Sequence, residues 1–337
     1  MIGIGVIGYG YWGPNLVRNF MEGPGDRVVM VSDLSPERLA LAQTRYPGIG
    51  VTTDYHDLIS DPDVDAVAIA TPVASHFDLA METIKAGKHV LLEKPMTQTS
   101  DQGQRLLEEA QRRGLVLMVD HTFIYMGAVG KIKELVTKGE LGDIYYYDST
   151  RVNLGLFQYD VNVIWDLAVH DLSIMDFVLE ARPSAVSATG ISHVPNTPQD
   201  VAYMTLYFDF PLIVHINVNW LSPVKVRQTL IGGSKKMIVF NDLEPSEKIK
   251  VYDTGITVNN SLENTYEIMV GYRTGDMWAP KCDNTEALQV ECRHFLDCIN
   301  NNKTPTTDGQ VGLRVVKIME AANESMARQG QPVKLTG

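Results

Sequence analysis

The sequence predicts an α/β protein in two parts. A doubly wound parallel sheet spans residues 1–121, and an α/β domain on a large, open, mostly antiparallel sheet follows over 122–337. Three observations predict this. The first 120 residues alternate short apolar strands with helical patterns, which is the grammar of a parallel sheet covered on both faces. After residue 121, strand-like runs follow one another with few helices between them, as in an antiparallel sheet with one covered face. The length of 337 residues suits about two domains of roughly 150 residues each.

The strands of the first part are "IGIGVIG", "RVVMVSD", "DAVAIAT", "GKHVLLE" and "GLVLMVD", with helices expected over 13–22, 36–46, 74–86 and 100–113. A helix near 128–137 and the strand "DIYYYDSTRVNLG" open the second part. The helix containing "IWDLAVHD" comes next, with Trp165, Ala168, Leu172, Met175 and Leu179 as its apolar stripe. Strands are then expected at "PSAVSATGISHV", "VAYMTLYFDF", "LIVHINVNWL", "KVRQTLIGG" and "KKMIVFND", and two helices, 286–301 and 308–328, close the chain. A late return of the chain to the first domain is compatible with this order.

Composition excludes several classes of function. Hydrophobic residues make up 45% and charged residues 21%, with a formal net charge of −12, an ordinary globular balance. The basic residues are scattered, which argues against a nucleic-acid surface or a polybasic membrane patch. No apolar run approaches the ~18–20 residues that span a bilayer. The opening "MIGIGVIGYG" reads as a strand rather than a leader. Cys282, Cys292 and Cys298 form a sparse, odd set, read as free thiols in a reducing cytoplasm.

"GVIGYGYWG" places Gly8, Gly10 and Gly13 in the G-x-G-x-x-G spacing, directly after a strand and opening a helix. That turn admits a pyrophosphate at a helix N-terminus. Asp33 ends the next strand 20 residues past Gly13, where an acid hydrogen-bonds the adenosine ribose diol and repels a 2′-phosphate. NAD is therefore expected rather than NADP, although Ser35 and Arg38 lie close enough to help hold a phosphate. Tyr11 and Trp12, inside the turn, are expected beside the cofactor or the substrate.

In "AIATPVASHF", Thr71 and Pro72 open a helix at a strand's carboxyl end, where ligands of such sheets lie. Thr71, Pro72 and His76 are expected beside the cofactor. "HVLLEKPM" ends another strand with Glu93, Lys94 and Pro95. A charged pair there is expensive to bury without a purpose, so both are expected at the cofactor cleft. The Lys94–Pro95 bond is expected to be cis, which re-aims the lysine. Asp166 and His170 are four residues apart and stack on one helix face; that spacing suits an orienting hydrogen bond or a catalytic base with its partner. A metal at Asp166 and His170 lacks a third ligand, and none is expected.

With these stretches in this order, the chain resembles the Gfo/Idh/MocA oxidoreductases over essentially its whole length. The motifs that carry the resemblance are "GVIGYGYWG", "ATPVASH", "GKHVLLEKPM" and "WDLAVHD". The resemblance implies a Rossmann domain followed by a sheet whose open face mediates homodimers or homotetramers. It also implies Lys94, Asp166 and His170 as catalytic residues. "GYGYWGPN", "STRVNLG" and "IWDLAVHD" look closest to the branch acting on UDP-N-acetylglucosamine-type nucleotide sugars, including 3-dehydrogenases. Val169 departs from the proline frequent in that branch. "VDHTFIY" departs from the asparagine- and arginine-rich version of many sugar dehydrogenases.

The expected reaction is hydride transfer between nicotinamide and a secondary alcohol of a sugar or nucleotide sugar. His170, with an ordinary pKa near 6.5, is roughly three-quarters neutral at pH 7 and able to take the hydroxyl proton. Asp166 fixes its tautomer and stabilises the imidazolium, and Lys94 stabilises charge on the reacting oxygen; the lysine and histidine roles are interchangeable at this level. Lys94, His121, Tyr125, Arg151, Asn153 and His170 are the expected substrate contacts, with Lys225 and Arg227 as weaker anion contacts. Two alternatives are an NAD-dependent glycosidase working by transient oxidation and a non-catalytic NAD sensor.

Overall fold

The structure, a computed structural model, describes residues 2–23, 27–155, 157–258 and 270–335. The chain divides into one unit of residues 1–125 with 285–320 and a second of 126–284 with 321–337.

The first unit runs β1 (Gly3–Ile7), α1 (Gly13–Met21), β2 (Arg27–Ser32), α2 (Pro36–Arg45), β3 (Gly50–Thr52), α3 (Tyr55–Ser60), β4 (Ala66–Ile69), α4 (His76–Lys85), β5 (His89–Glu93), α5 (Ser100–Arg113) and β6 (Leu117–Asp120). The six strands lie in the order β3-β2-β1-β4-β5-β6, and every pairing is parallel. The order reverses between β1 and β4, the switch point at which such sheets bind ligands beyond their carboxyl ends. β1, β4 and β6 are buried throughout, as two-sided cover demands. β3 and α3 were not expected. At three and six residues they are too short to show a period.

In the second unit, α6 (Gly127–Thr137) precedes β7 (Ile144–Leu154) and α7 (Val169–Leu179). The strands β8 (Ala185–Ile191), β9 (Val201–Tyr207), β10 (Ile213–Asn219), β11 (Leu221–Gly233), β12 (Met237–Asn241), β13 (Ile249–Tyr252), β14 (Gly255–Val258), β15 (Val270–Arg273) and β16 (Met277–Trp278) follow. In chain order α8 (Ala287–Asn301) and α9 (Gly309–Ala327) come next, returning to the first unit as far as residue 320, and β17 (Val333–Lys334) ends the order. Nine strands form one sheet, β16-β13-β12-β11-β7-β10-β9-β8-β17. Its pairings are antiparallel except β7 with β10, which is parallel. β14 and β15 pair separately.

On β9 and β10 burial alternates residue by residue. Ala202, Met204, Leu206, Val214, Ile216 and Val218 face the interior, while Tyr203, Tyr207 and Ile213 remain exposed on the other face. That alternation is the mark of a sheet covered on one side. Helix α8 belongs to the first unit, where Leu288, Cys292, Phe295 and Leu296 join the core formed by Ile4, Val6, Val17 and Phe20. Cys282, Cys292 and Cys298 are free thiols. No described helix is long and apolar enough to cross a membrane.

Candidate active site

In the first unit, the turn after β1 is built by close backbone approach. Gly8 has φ +95, and a Cβ there would lie 2.6 Å from the Ala70 carbonyl oxygen, so glycine alone suits it. A Cβ at Gly13 would lie 2.0 Å from the Gly8 oxygen. Above Gly10, among the described residues, only the Arg38 guanidinium comes near, at 3.5 Å from a would-be Cβ. The first turn of α1 has no side-chain cap; Pro14 carries no N–H, and the Asn15 and Leu16 N–H groups donate to the Trp12 carbonyl at 2.9 and 3.3 Å, so an anion there would meet the glycine turn's own backbone at the positive end of the helix. Asp33, at the end of β2, accepts from the Tyr9 N–H at 2.6 Å and the Ser35 N–H at 2.8 Å. Arg38 Nη1 stands 3.6 Å from the same carboxylate. Ser35 is the N-cap of α2. A tight turn, an open backbone above Gly10 and an acid held fixed at the end of β2 fit a dinucleotide.

The loop after β4 differs from its expected form. α4 begins at His76, after a short 3-10 turn over Val73–Ser75, and Thr71 does not cap it. The Thr71 hydroxyl instead accepts from Ser75 Oγ at 2.8 Å. His76 is fully buried, with Nδ1 2.8 Å from the Pro95 oxygen and Nε2 2.8 Å from the Thr71 oxygen. Burial lowers its pKa. Expected beside the cofactor, the ring packs between main-chain carbonyls of the loops after β4 and β5, and in its neutral form its single N–H donates to one of them. The Lys94–Pro95 bond is cis.

Lys94 follows β5 and His121 follows β6, one step beyond the register pair Glu93–Asp120. They are therefore neighbours at the carboxyl edge of the sheet. His121 is 1% exposed, and neither ring nitrogen has a hydrogen-bond partner among the described residues. Burial first, and the nearby Lys94 charge second, push its pKa down to about 3, so the ring is neutral at any working pH. Two orphaned nitrogens in a buried neutral ring are costly unless a ligand or a bound water meets them.

Two expected contacts sit differently. Tyr11 is 88% exposed and stacks on Trp12. Tyr125 packs against the first-unit core, its hydroxyl 3.1 Å from Thr307 Oγ1 and its ring tilted on His294 of α8.

The second unit carries Asp166 and His170. Residues Ile164–Ala168 form a π-helical turn that runs into α7. The wider turn keeps positions 166 and 170 on one face. Asn162 Oδ1 accepts from the N–H groups of Ile164 and Trp165 and so starts the turn. Trp220, fully buried, donates its indole N–H to Asp166 Oδ2 at 3.0 Å. That contact was not foreseen, since no local pattern links residues 54 apart.

The apolar stripe expected on α7 broadens into burial nearly all round the helix. Asp171 is absorbed by Arg151, whose Nε and Nη2 reach its two oxygens at 2.8 and 3.1 Å. Arg151 is 3% exposed, so this fork is committed inside the unit rather than presented to an anion. Asn153 follows on the same face of β7, and its Oδ1 accepts no hydrogen bond among the described residues. Lys225 is exposed, and Arg227 pairs with Asp242 at 3.1 Å. No group of three metal-ligating side chains occurs among the described residues.

A parallel six-stranded sheet with this glycine turn and this fixed acid defines a dinucleotide-binding protein. Residues 2–121 match the oxidoreductase family's NAD-binding Rossmann fold, and 129–239 match the Gfo/Idh/MocA C-terminal domain. The chain belongs to the Gfo/Idh/MocA oxidoreductase family, and its first unit is that family's NAD-binding domain. A scyllo-inositol 2-dehydrogenase (NAD+) of Bacillus subtilis is 26% identical, over 99% of this chain and 95% of its own. The UDP-N-acetylglucosamine 3-dehydrogenase of Acidithiobacillus ferrooxidans shares the fold at a TM-score of 0.79, with 24% identity and 97% of each chain covered. A levoglucosan dehydrogenase solved with NADH shares it at 0.82, with 20% identity and 99% of each chain covered.

Proposed function

We propose that the protein catalyses hydride transfer between NAD and a secondary alcohol of a sugar or nucleotide sugar, with a UDP-N-acetylhexosamine type as the leading candidate. The observation that carries this reading is His121. It is a buried, neutral imidazole beside Lys94, without a hydrogen-bond partner among the described residues, at the edge of the sheet where an NAD-binding domain holds its cofactor. Relatives that act on inositol, levoglucosan and UDP-N-acetylglucosamine support the substrate class.

Bound NAD supplies the hydride acceptor. As the alcohol carbon gives up its hydride, His170 takes the hydroxyl proton. Asp166, held by Trp220, orients that ring and stabilises the imidazolium. Lys94 stabilises negative charge developing on the reacting oxygen. His121 hydrogen-bonds the bound ligand, and Asn153 offers its free acceptor to a substrate hydroxyl. Arg151 holds Asp171 in place, next to His170 on α7. The open sheet face bearing Tyr203, Tyr207 and Ile213 is read as a homodimer or homotetramer contact, and the protein as cytoplasmic.

The test is reduced-nicotinamide absorbance with NAD against free polyols, hexoses and UDP-sugars. Net NADH with one of these substrates is expected. Sugar release without net NADH would replace the reading with a glycosidase, and NAD binding without turnover on any of them would leave a sensor.

Asp33 makes a separable expectation. Asp33→Ser removes the charge that repels a 2′-phosphate and leaves Arg38 beside the site. NAD affinity should fall, and NADP affinity should rise by at least about tenfold, the effect of ~1.4 kcal/mol. Fluorescence titration with both dinucleotides checks it.

A further inference from the structure

Helix α8 brings an acid into the first unit that the reaction above does not use. Glu291 is fully buried, on the same side of the helix as Leu288, Cys292 and Phe295. Facing it are Asp120 at the end of β6, Glu93 at the end of β5, the Thr122 hydroxyl and the Tyr125 phenol. Asp120 is 1% exposed and already accepts two hydrogen bonds. The Trp12 indole N–H donates to Oδ2 at 2.6 Å, and the Thr122 hydroxyl donates to Oδ1. Neither oxygen of Glu291 accepts a hydrogen bond among the described residues, the nearby Thr122 hydroxyl being directed to Asp120. A proton on Glu291 changes that, because the acid can then donate to Asp120.

We propose that Asp120 and Glu291 form a proton-sharing acid pair that positions Trp12, and with it the glycine turn that receives the dinucleotide. Trp12 lies between Gly10 and Gly13, at the start of α1. Its anchor on β6 fixes the turn from the side opposite Asp33, which holds the Tyr9 N–H. Glu291 keeps the proton and donates it toward Asp120, both of whose oxygens already accept, from Trp12 and Thr122. Burial first, then the charge of Asp120, holds the Glu291 carboxyl well above the usual range, with Glu93 adding to this and Thr122 opposing it.

The sign follows from linkage. A carboxyl raised in the folded state contributes stability that is complete below its ordinary value and is lost as pH rises through the folded value. Once Glu291 ionises, two adjoining carboxylates with Glu93 close by repel, and Asp120 shifts from Trp12. Dinucleotide affinity should therefore fall on the alkaline side. Glu291→Gln keeps a donor toward Asp120 and cannot ionise.

Two readouts test the pair. Both are taken without substrate, so they stand apart from the substrate reading. The infrared carbonyl stretch of a protonated carboxyl should be present in wild type at about pH 7, where an ordinary glutamate near 4.3 is ionised, and absent in Glu291→Gln. Calorimetric NAD affinity should fall in wild type between about pH 7 and about pH 10, whereas Glu291→Gln should stay level, within about threefold of the neutral wild-type value (under ~1 kcal/mol). Asp120→Asn removes the neighbouring charge and should shrink the alkaline fall or move it to lower pH, which a merely structural role would not do. No protonated-carboxyl band, a band that survives Glu291→Gln, or one alkaline profile shared by wild type and both variants would overturn the proposal.

Discussion

His170→Ala should lower kcat for alcohol oxidation by about 10²–10⁴-fold, the usual contribution of a positioned general base, while NAD affinity stays at its wild-type value. The residue lies on α7 in the second unit, whereas the glycine turn and Asp33 lie in the first, so binding and chemistry should separate cleanly. Steady-state kinetics beside a calorimetric NAD titration checks both halves. An unchanged kcat removes His170 from the proton transfer. Asp166→Asn should show a related loss, because the amide keeps the shape but gives up the charge that stabilises imidazolium. Trp220 still has an amide oxygen to donate to in that variant, so the fold should hold.

Gly13→Ala should be damaging in a different way. Its methyl would lie 2.0 Å from the Gly8 oxygen, a backbone atom with no freedom to swing aside. The turn must open, and NAD affinity should fall by more than about tenfold, a loss above ~1.4 kcal/mol, with a lower melting temperature even without cofactor. Gly10→Ala is the informative contrast. Its methyl meets only the Arg38 guanidinium, at 3.5 Å, so the unliganded protein should melt normally and lose NAD affinity alone. Thermal melts with and without NAD distinguish the two. Equal melting temperatures for Gly13→Ala and wild type would mean that the close approach of the turn to α1 is not what the third glycine provides.

The long, periodic elements were legible in the sequence. β1, β2, β4, β5 and β6 are near-continuous apolar runs, and α1, α2 and α5 follow their stripes. β13, β16 and β17 were not, because short strands carry no period of their own and take their place from a neighbour's register. The parallel β7–β10 pairing is equally non-local. The tight glycine turn and the position of Asp33 at the end of β2 were legible because a strand–turn–helix of this kind fixes spacing along the chain.

What stayed hidden depends on tertiary partners. Arg151 reads as an anion contact until Asp171 is seen to take its fork, and His76 reads as a cofactor neighbour until two carbonyls bracket it. Glu291 left one signal unread. Its place three residues after Leu288 and four before Phe295 puts an acid on an apolar stripe, where a solvated charge does not belong.

The return of residues 285–320 to the first unit bears on how the protein can be divided. A gene fragment ending after the sixth strand would encode the whole parallel sheet, yet it would lack Leu288, Cys292, Phe295 and Leu296, which seal the hydrophobic cluster behind the first helix. It would also strip Asp120 of its acid neighbour. A portable cofactor module made from this chain therefore has to be spliced, with the closing helices grafted back by a linker.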